Sequence, residues 1–438
     1  LIHQLAIEAS FDLLDLHVLN RQRYPHLLES STQGPQGRFD ILFAFPGDTI
    51  ILQDLESFNF LSTLDEHWEA AGRHQYGGSP PFSGGWFLYL GYELAAQIES
   101  RLRLPSDASA LPIASATRIP AAIVHDHTSG SRWIVAEQKK YAVAVKEDIT
   151  RLQTLPPSTP LPHCKVVEDS PQRYLDAVWR ILKYIRDGDV FQVNLSRQWR
   201  GTWPPGMGAD VLYRRLRQTN PGPYNGLATW GNNAILSSSP ERLVAVRGNT
   251  VQTRPIAGTR PRGPGSDSDR AFSDELLDHP KERAEHIMLI DLERNDLGRI
   301  AIPGSVHVNE LMTLESYATV HHIVSNVEAV VRPEIKPGQL IGAVFPGGTI
   351  TGCPKVHCME IIAELEDSGR GAYTGSMGYL NHDGSMDLNI LIRTMVRSGE
   401  QLSFRAGAGI VSDSVAEQEL DETRAKARAM LYALEGSQ

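Results

Sequence analysis

The chain has 438 residues, 41% of them hydrophobic and 21% charged, the composition of an ordinary soluble globular protein with one large or two moderate domains. A net charge of −10 argues against nucleic acid or an anionic membrane as the main partner, and no run of about 18 apolar residues offers a transmembrane helix. Three cysteines, Cys164, Cys353 and Cys358, have no metal-type spacing, so we expect reduced thiols in a cytoplasmic protein.

The opening LIHQLAIEASFDLLDLHVLNRQ contains no signal-peptide core, and the leading Leu in place of Met is read as a few missing residues. Up to residue 153, short apolar segments such as FDILFAF (39–45) and WFLYLGYEL (86–94) alternate with Gly/Pro turns and predict strands with a few helices. Residues 101–125, rich in Pro, Ser and Ala, read as irregular connection. TLPPSTPLPH (154–163) carries four prolines and cannot be regular structure. We therefore expect an N-terminal β-rich region over 1–153, a linker over 154–168 and a catalytic domain over 169–438.

SPQRYLDAVWRILKYIRDG (170–188) predicts a helix with Ser170 as cap, Pro171 at its first position and Gly188 as its stop. Tyr174, Val178, Ile181, Leu182 and Ile185 form its apolar stripe. A strand follows in FQVNLSRQW (191–199), with Phe191, Val193, Leu195 and Trp199 on one face and Gln192, Asn194 and Ser196 on the other. That polar face is either a pocket wall or a solvated sheet face. Abundant strands with interspersed helices predict an α+β fold with large antiparallel sheets.

Two Glu-x-x-Glu pairs lie on separate predicted helices, Glu282/Glu285 after Pro280 and Glu419/Glu422 after a Ser414/Glu417 capping box. A three-residue step puts each pair on one helix face. Either these are solvated faces, or four converging carboxylates hold a hard divalent ion such as Mg²⁺. Lys426 shares the face of Glu419 and Glu422. Of the adjacent His321 and His322, one can enter the core and the other a pocket. Arg393, alone in an apolar strand, needs an anionic partner, whether a protein carboxylate or a substrate. Glu241 in SSSPERL reads equally well as a surface turn residue. GGTITGCPK (347–355) fails as a phosphate loop because Cys353 stands where lysine is required. The close-set glycines of RAGAGIV (405–411) can offer backbone N–H groups to a carboxylate.

The ordered segments FQVNLSRQW, SSSPERL, TRPIAGTRPRG, KERAEHIMLIDLERNDLGR, VHHIVS, FPGGTITGCPK, YTGSMGYL, MDLNILIRT, AGAGIV and ELDETRAKA resemble those of the chorismate-utilising enzymes. That family includes anthranilate synthase component I, aminodeoxychorismate synthase component I, and isochorismate and salicylate synthases. The resemblance is dense over about 170–435. It implies a sandwich of large antiparallel sheets with helices outside, the anthranilate synthase component I-like fold. It also implies Mg²⁺ ligands at Glu285 and Glu422, with Glu282 and Glu419 in or just behind them. Arg393 and Tyr373 would clamp the enolpyruvyl carboxylate of chorismate, and Gly407, Gly409 and Lys426 would surround the ring carboxylate. Thr349 would line the pocket, Glu241 would be the acid that expels the C4 hydroxyl, and His322 would be the catalytic histidine. LLESS (27–31) resembles a tryptophan-contacting segment, with ordinary core packing of Leu27 and Leu28 as the alternative.

Gln192 stands where water-adding members carry a lysine base. A glutamine cannot act as a base, so the resemblance points to the ammonia-using branch. Several segments favour 4-amino-4-deoxychorismate as product, toward p-aminobenzoate and folate. Ala257, in PIAGT where many such synthases carry lysine, favours anthranilate instead. We expect the former, with anthranilate synthase component I as the alternative and a non-catalytic binding subunit as the alternative of another class. No glutaminase-type cysteine elbow is present, so ammonia is expected from a separate glutamine amidotransferase subunit.

Overall fold

A computed structural model describes residues 2–31, 37–72, 80–152, 163–262, 265, 269, 275, 280–316 and 320–435, without the side chains of 259–261, 280–282 and 320. Most of the Pro-rich tract, 153–162, lies outside the described residues, as does the side chain of Glu282.

Two large antiparallel sheets organise the chain. The 12-stranded sheet runs His3–Ile7, Arg132–Ala136, Ala121–Asp126, Phe39–Ala44, His26–Glu29, Tyr224–Trp230, Asn233–Ser239, Thr394–Ser398, Gln401–Ile410, Gln192–Thr202, Gly352–Cys353, with Val166–Glu168 also on Gln192–Thr202. The 10-stranded sheet runs Ile256–Pro261, Val320–Val330, Thr250–Thr253, Arg242–Arg247, Met386–Asn389, Ser376–Asn381, Gly85–Leu90, Ala114–Ile119, Thr49–Leu52, with His307–Ser316 also on Val320–Val330. Strands from before and after the Pro-rich tract are neighbours in both sheets: His26–Glu29 pairs with Tyr224–Trp230, and Gly85–Leu90 with Ser376–Asn381.

The two-residue period of a strand sorts its side chains between layers. Ile41 and Phe43 of one sheet meet Phe87, Tyr89, Met377 and Tyr379 of the other in the core between the sheets. Their neighbours Leu42 and Ala44 turn outward to Leu13, Leu16, Leu212 and Met430 on helices. Leu88 and Leu90 likewise turn outward to Leu64, Trp68, Leu340 and Ile341. The result is an α+β sandwich of two sheets with helices outside both. Among the described residues no helix is long and apolar enough to cross a membrane.

The helix after the Pro-rich tract runs Pro171–Asp187 and ends at Gly188, whose φ of +86° suits a residue without Cβ. Tyr174, Val178, Ile181 and Leu182 are buried as their spacing requires. Ser170 occupies the cap position without a side-chain cap bond, so its expected capping role is corrected. The Ser414/Glu417 capping box is also corrected. The last helix starts after Val415, and the Ser414 hydroxyl instead accepts a bond from the Val411 amide at 3.0 Å. Residues 101–125, read as irregular, contain the strands Ala114–Ile119 and the start of Ala121–Asp126. Their small residues, Ala114, Ser115 and Ala116, are fully buried and permit close packing that composition alone does not reveal. Phe191 is 67% exposed and does not share the buried face of Val193, Leu195 and Trp199, because the strand begins one residue after it.

Candidate active site

The polar face of strand Gln192–Thr202 is a buried wall. Gln192 and Ser196 are 3% and 6% exposed. The strand pairs with Gln401–Ile410 so that Asn194 lies opposite Gly409 and Ser196 opposite Gly407. Gly409 makes room for a neighbour: a first side-chain carbon there would sit 2.5 Å from Gln192 Nε2. That Nε2 donates to Glu285 Oε1 at 2.8 Å, joining the strand to helix Pro280–Gly298. The Gln192 side-chain carbonyl is buried and has no protein hydrogen-bond partner among the described residues. At Gly407 the same added carbon would lie 2.7 Å from both Leu195 O and the Tyr373 hydroxyl. The Lys426 ammonium donates to Gly407 O at 3.1 Å and pairs with Glu422 at 2.7 Å, one turn back on helix Ala416–Leu434. Glu419, on the same face, is 8% exposed and acts electrostatically on the buried Tyr174.

A second group gathers around Glu241, which is buried and so is not a surface turn residue. It sits just before strand Arg242–Arg247, and Thr349, in the short 3₁₀ turn Gly348–Ile350, donates to Glu241 Oε1 at 2.8 Å. Burial pushes the Glu241 carboxyl up to about 7 and the Glu293 charge adds to the rise, while Thr349, the Ile256 amide and the Lys426 charge oppose it. Arg393 is close enough to Glu241 to feel its charge. Burial lowers the Arg393 pKa from the ordinary arginine value, and Glu241 opposes that shift. Arg393 also has a φ of +50°, a left-handed backbone unusual for a side chain of its size. The backbone next to Tyr373 does the same, with Thr374 at +62°.

Both members of the histidine pair are buried, on opposite faces of strand Val320–Val330. His321 bonds Ser316 at 2.7 Å and Asp269 at 2.9 Å. His322 interacts with the Gly258 backbone; burial lowers its pKa to about 3, with the Arg393 charge adding. It is therefore neutral near pH 7. Ala257 is buried on the neighbouring strand, opposite Ile323. Its methyl group offers no nucleophile.

Behind Tyr373 stands a network that the sequence reading did not single out. Glu366 accepts from Arg370 at 2.7 Å, from Arg405 at 2.7 Å and from the Ser196 amide at 2.8 Å. Burial alone would raise the Glu366 pKa, but the two arginines hold it below the ordinary value. The Arg370 guanidinium lies 5.5 Å from the Tyr373 ring centre, and burial raises the Tyr373 phenol to about 12. Glu293, which loads Glu241, also escaped notice. The charges of Arg370 and Arg405 inside Gly- and Ala-rich runs were the available signal.

The proposed ligand set is thus divided. Glu285 joins Gln192, Glu422 joins Lys426, and Glu419 is buried nearby on its helix. Among the described residues, Glu285, Glu419 and Glu422 do not form a group of three with oxygens all within 4.8 Å; Asp40, His125 and His127 do form such a group.

A cavity of about 220 Å³ lies elsewhere, lined by Leu28, Glu29, Arg38, Met377, Tyr379 and Asp387 among others. Leu27 is fully buried in the helix-facing core, whereas Leu28 faces this cavity.

The model of the family described as "chorismate binding enzyme" matches residues 24–432. The aminodeoxychorismate synthase component 1 of Bacillus subtilis is 37% identical over 450 residues, covering 96% of this chain and 94% of that protein. The anthranilate synthase component 1 of Thermus thermophilus is 40% identical over 429 residues, covering 93% and 92%. The crystal structure of anthranilate synthase component I from Streptococcus pneumoniae TIGR4 superposes with a TM-score of 0.82 at 31% identity, over 91% of this chain and 93% of that one. Matched by the family model over residues 24–432 and by these relatives over nearly its whole length, the chain belongs to the chorismate-binding enzyme family.

Proposed function

We propose that the chain converts chorismate and ammonia to 4-amino-4-deoxychorismate, the step toward p-aminobenzoate and folate. The observation that supports expulsion of the C4 hydroxyl, a step that C4 and C2 amination share, is the environment of Glu241: a buried carboxyl, bonded to Thr349 and raised to about 7, can hold a proton at neutral pH. Hydroxide is a poor leaving group. In the proposed step Glu241 gives its proton to the departing C4 hydroxyl, the C4–O bond breaks, a C4–N bond forms with ammonia, and water leaves. The ammonium so formed returns a proton to the Glu241 carboxylate. Arg393 and Tyr373 would hold the enolpyruvyl carboxylate, Arg393 as a two-point donor. Gly407, Gly409 and Lys426 would hold the ring carboxylate, and neutral His322 would line the reacting face.

Glu285, Glu422 and the Gln192 carbonyl, which has no hydrogen-bond partner among the described residues, supply hard oxygen donors of the kind that suits Mg²⁺. The buried Glu419 would support them, with Glu282 as the remaining candidate. When bound, the ion would offset the mutual repulsion of these acids and neutralise a substrate carboxylate.

Ammonia would come from a separate glutamine amidotransferase subunit, and an amino-acid effector of the tryptophan type would have its place in the cavity beside Leu28 and Glu29. Ala257 favours a second reading, amination at C2 followed by loss of pyruvate to give anthranilate. Incubating the purified chain with chorismate, ammonium and Mg²⁺, then separating products against authentic standards, distinguishes the two. We expect the C4-amino compound and no pyruvate; anthranilate with equimolar pyruvate would overturn the first reading in favour of the second.

A further inference from the structure

Asp40, His125 and His127 belong to no part of the chemistry above. Asp40 lies on strand Phe39–Ala44 directly opposite His125 on strand Ala121–Asp126. His127 follows two residues later, in the turn beyond the strand, with its ring centre 4.4 Å from that of His125. The carboxylate therefore faces two imidazoles across a strand pair. His125 Nδ1 is 3.2 Å from Asp40 Oδ2, and His127 Nε2 is 2.8 Å from Asp40 Oδ1. One ligand atom from each of the three residues falls within a common 4.8 Å limit. A tetrahedral zinc ion with bonds of about 2.0–2.1 Å needs donors about 3.3 Å apart. The two imidazole–carboxylate separations, each to a different oxygen of Asp40, are near that spacing.

The donors are held in place before any ion arrives. Ser30 N–H donates to Asp40 Oδ1 at 2.9 Å. His127 N–H donates to Arg38 O at 2.8 Å, continuing the strand pairing beyond His125. Asp126, between the two histidines, accepts two bonds from Arg38 at 3.1 and 2.9 Å and one from the Thr128 amide at 3.0 Å. These bonds fix the turn that carries His127. The Asp40 side chain is 10% exposed and that of His127 37%, so the carboxylate is sheltered while solvent reaches the cluster past an imidazole. Glu29 and Asp126 act electrostatically on His127 and add negative potential around the cluster.

We propose that Asp40, His125 and His127 bind a divalent transition-metal ion of the Zn²⁺ class, with two imidazole nitrogens and one carboxylate as ligands and the solvent side open. Two nitrogens and one oxygen suit Zn²⁺ or Co²⁺ far better than Mg²⁺, so this site and the acidic centre select different ions. Protons compete with the ion for imidazole nitrogens, so binding should strengthen as pH rises.

The test uses the full chain, stripped with chelator, held in saturating Mg²⁺ and titrated with Co²⁺ while visible absorption is recorded. We expect one saturable equivalent with a d–d spectrum that Zn²⁺ displaces. His127→Ala and Asp40→Asn should lose that spectrum, and Glu285→Gln should keep it. His127→Ala, at a half-exposed position, serves if Asp40→Asn fails to fold by circular dichroism. No saturable spectrum, or an unchanged spectrum in His127→Ala, would overturn the site. So would loss of the spectrum in Glu285→Gln alone, which would place the ion at the acidic centre.

Discussion

The side-chain amide of Gln192 donates to the carboxylate of Glu285 across 2.8 Å, so this residue holds a candidate metal ligand in place. Gln192→Met keeps the length and removes the bond. We expect the Mg²⁺ concentration for half-maximal turnover to rise by about tenfold, the scale on which groups supporting metal ligands act. Turnover measured against Mg²⁺ concentration at saturating chorismate checks this, and an unchanged Mg²⁺ dependence would detach Gln192 from the metal.

Glu241 gives a prediction in pH. Its folded pKa of about 7 lies above the ordinary carboxyl value of 4.5, so its acid form, which would donate the proton, is depleted as pH rises through about 7. Turnover should fall on that limb. Glu241→Gln should lower kcat by about 10²–10⁴-fold and abolish the limb. Stability has the same sign: the contribution is fully present below the unfolded pKa and is lost as pH rises through the folded one. Glu241→Gln should therefore melt higher than the parent at pH 8 and show no such gain at pH 4. Equal melting at both values would mean that the carboxyl is not held protonated.

For Arg393, replacement by Ala should raise KM for chorismate, and Arg393→Lys should restore only part of the affinity because an ammonium cannot make the planar two-point contact. If Arg393→Ala alters thermal stability while KM in the folded protein is unchanged, the guanidinium serves the fold through Glu241 rather than the substrate.

Gly407 tests close packing. Gly407→Ala would force a methyl to within 2.7 Å of Leu195 O and the Tyr373 hydroxyl, so the sheet or Tyr373 must shift. We expect turnover to drop by at least about tenfold, since a small misplacement in a site can cost about 10²-fold. Full activity would show that Tyr373 yields without consequence.

Ala257→Lys would place an amine on the strand that pairs with the one carrying His322, where a partly desolvated setting would lower its pKa and make it a nucleophile. Intact-protein mass spectrometry after trapping with chorismate should reveal an adduct in the variant and none in the parent chain. No adduct in the variant would place Ala257 away from the reacting carbons.

The sheets, the helix 171–187 and the motif order were legible in the sequence because each rests on a local period or a run of neighbours. The fold class, α+β with large antiparallel sheets, follows from that signal. What escaped was set by partners distant in the chain. From its own neighbours Glu241 reads equally well as a turn residue, and only the resemblance gave it a role, because nothing near it in sequence announces Thr349 or Glu293. Glu366, Arg370 and Arg405 satisfy one another across a strand and a loop, and no spacing encodes that. The strands in 114–126 were missed because alanine and serine carry little strand propensity, although close packing between neighbouring strands favours small side chains there. Asp40 and its histidines lie on different strands, and only the register brings them together.

The neighbouring of early and late strands has a consequence for how the molecule is made. Gly85–Leu90 pairs with Ser376–Asn381, and His26–Glu29 with Tyr224–Trp230. A ribosome releases the first members of these pairs long before the second. Until then the nascent chain presents unpaired apolar strand edges, the kind of species that self-associates, and closing the sheets must await contacts between remote parts of the chain. Refolding should accordingly be slow and sensitive to protein concentration. Fragments ending near the Pro-rich tract should aggregate rather than fold, because neither sheet can be completed by the residues on one side of it.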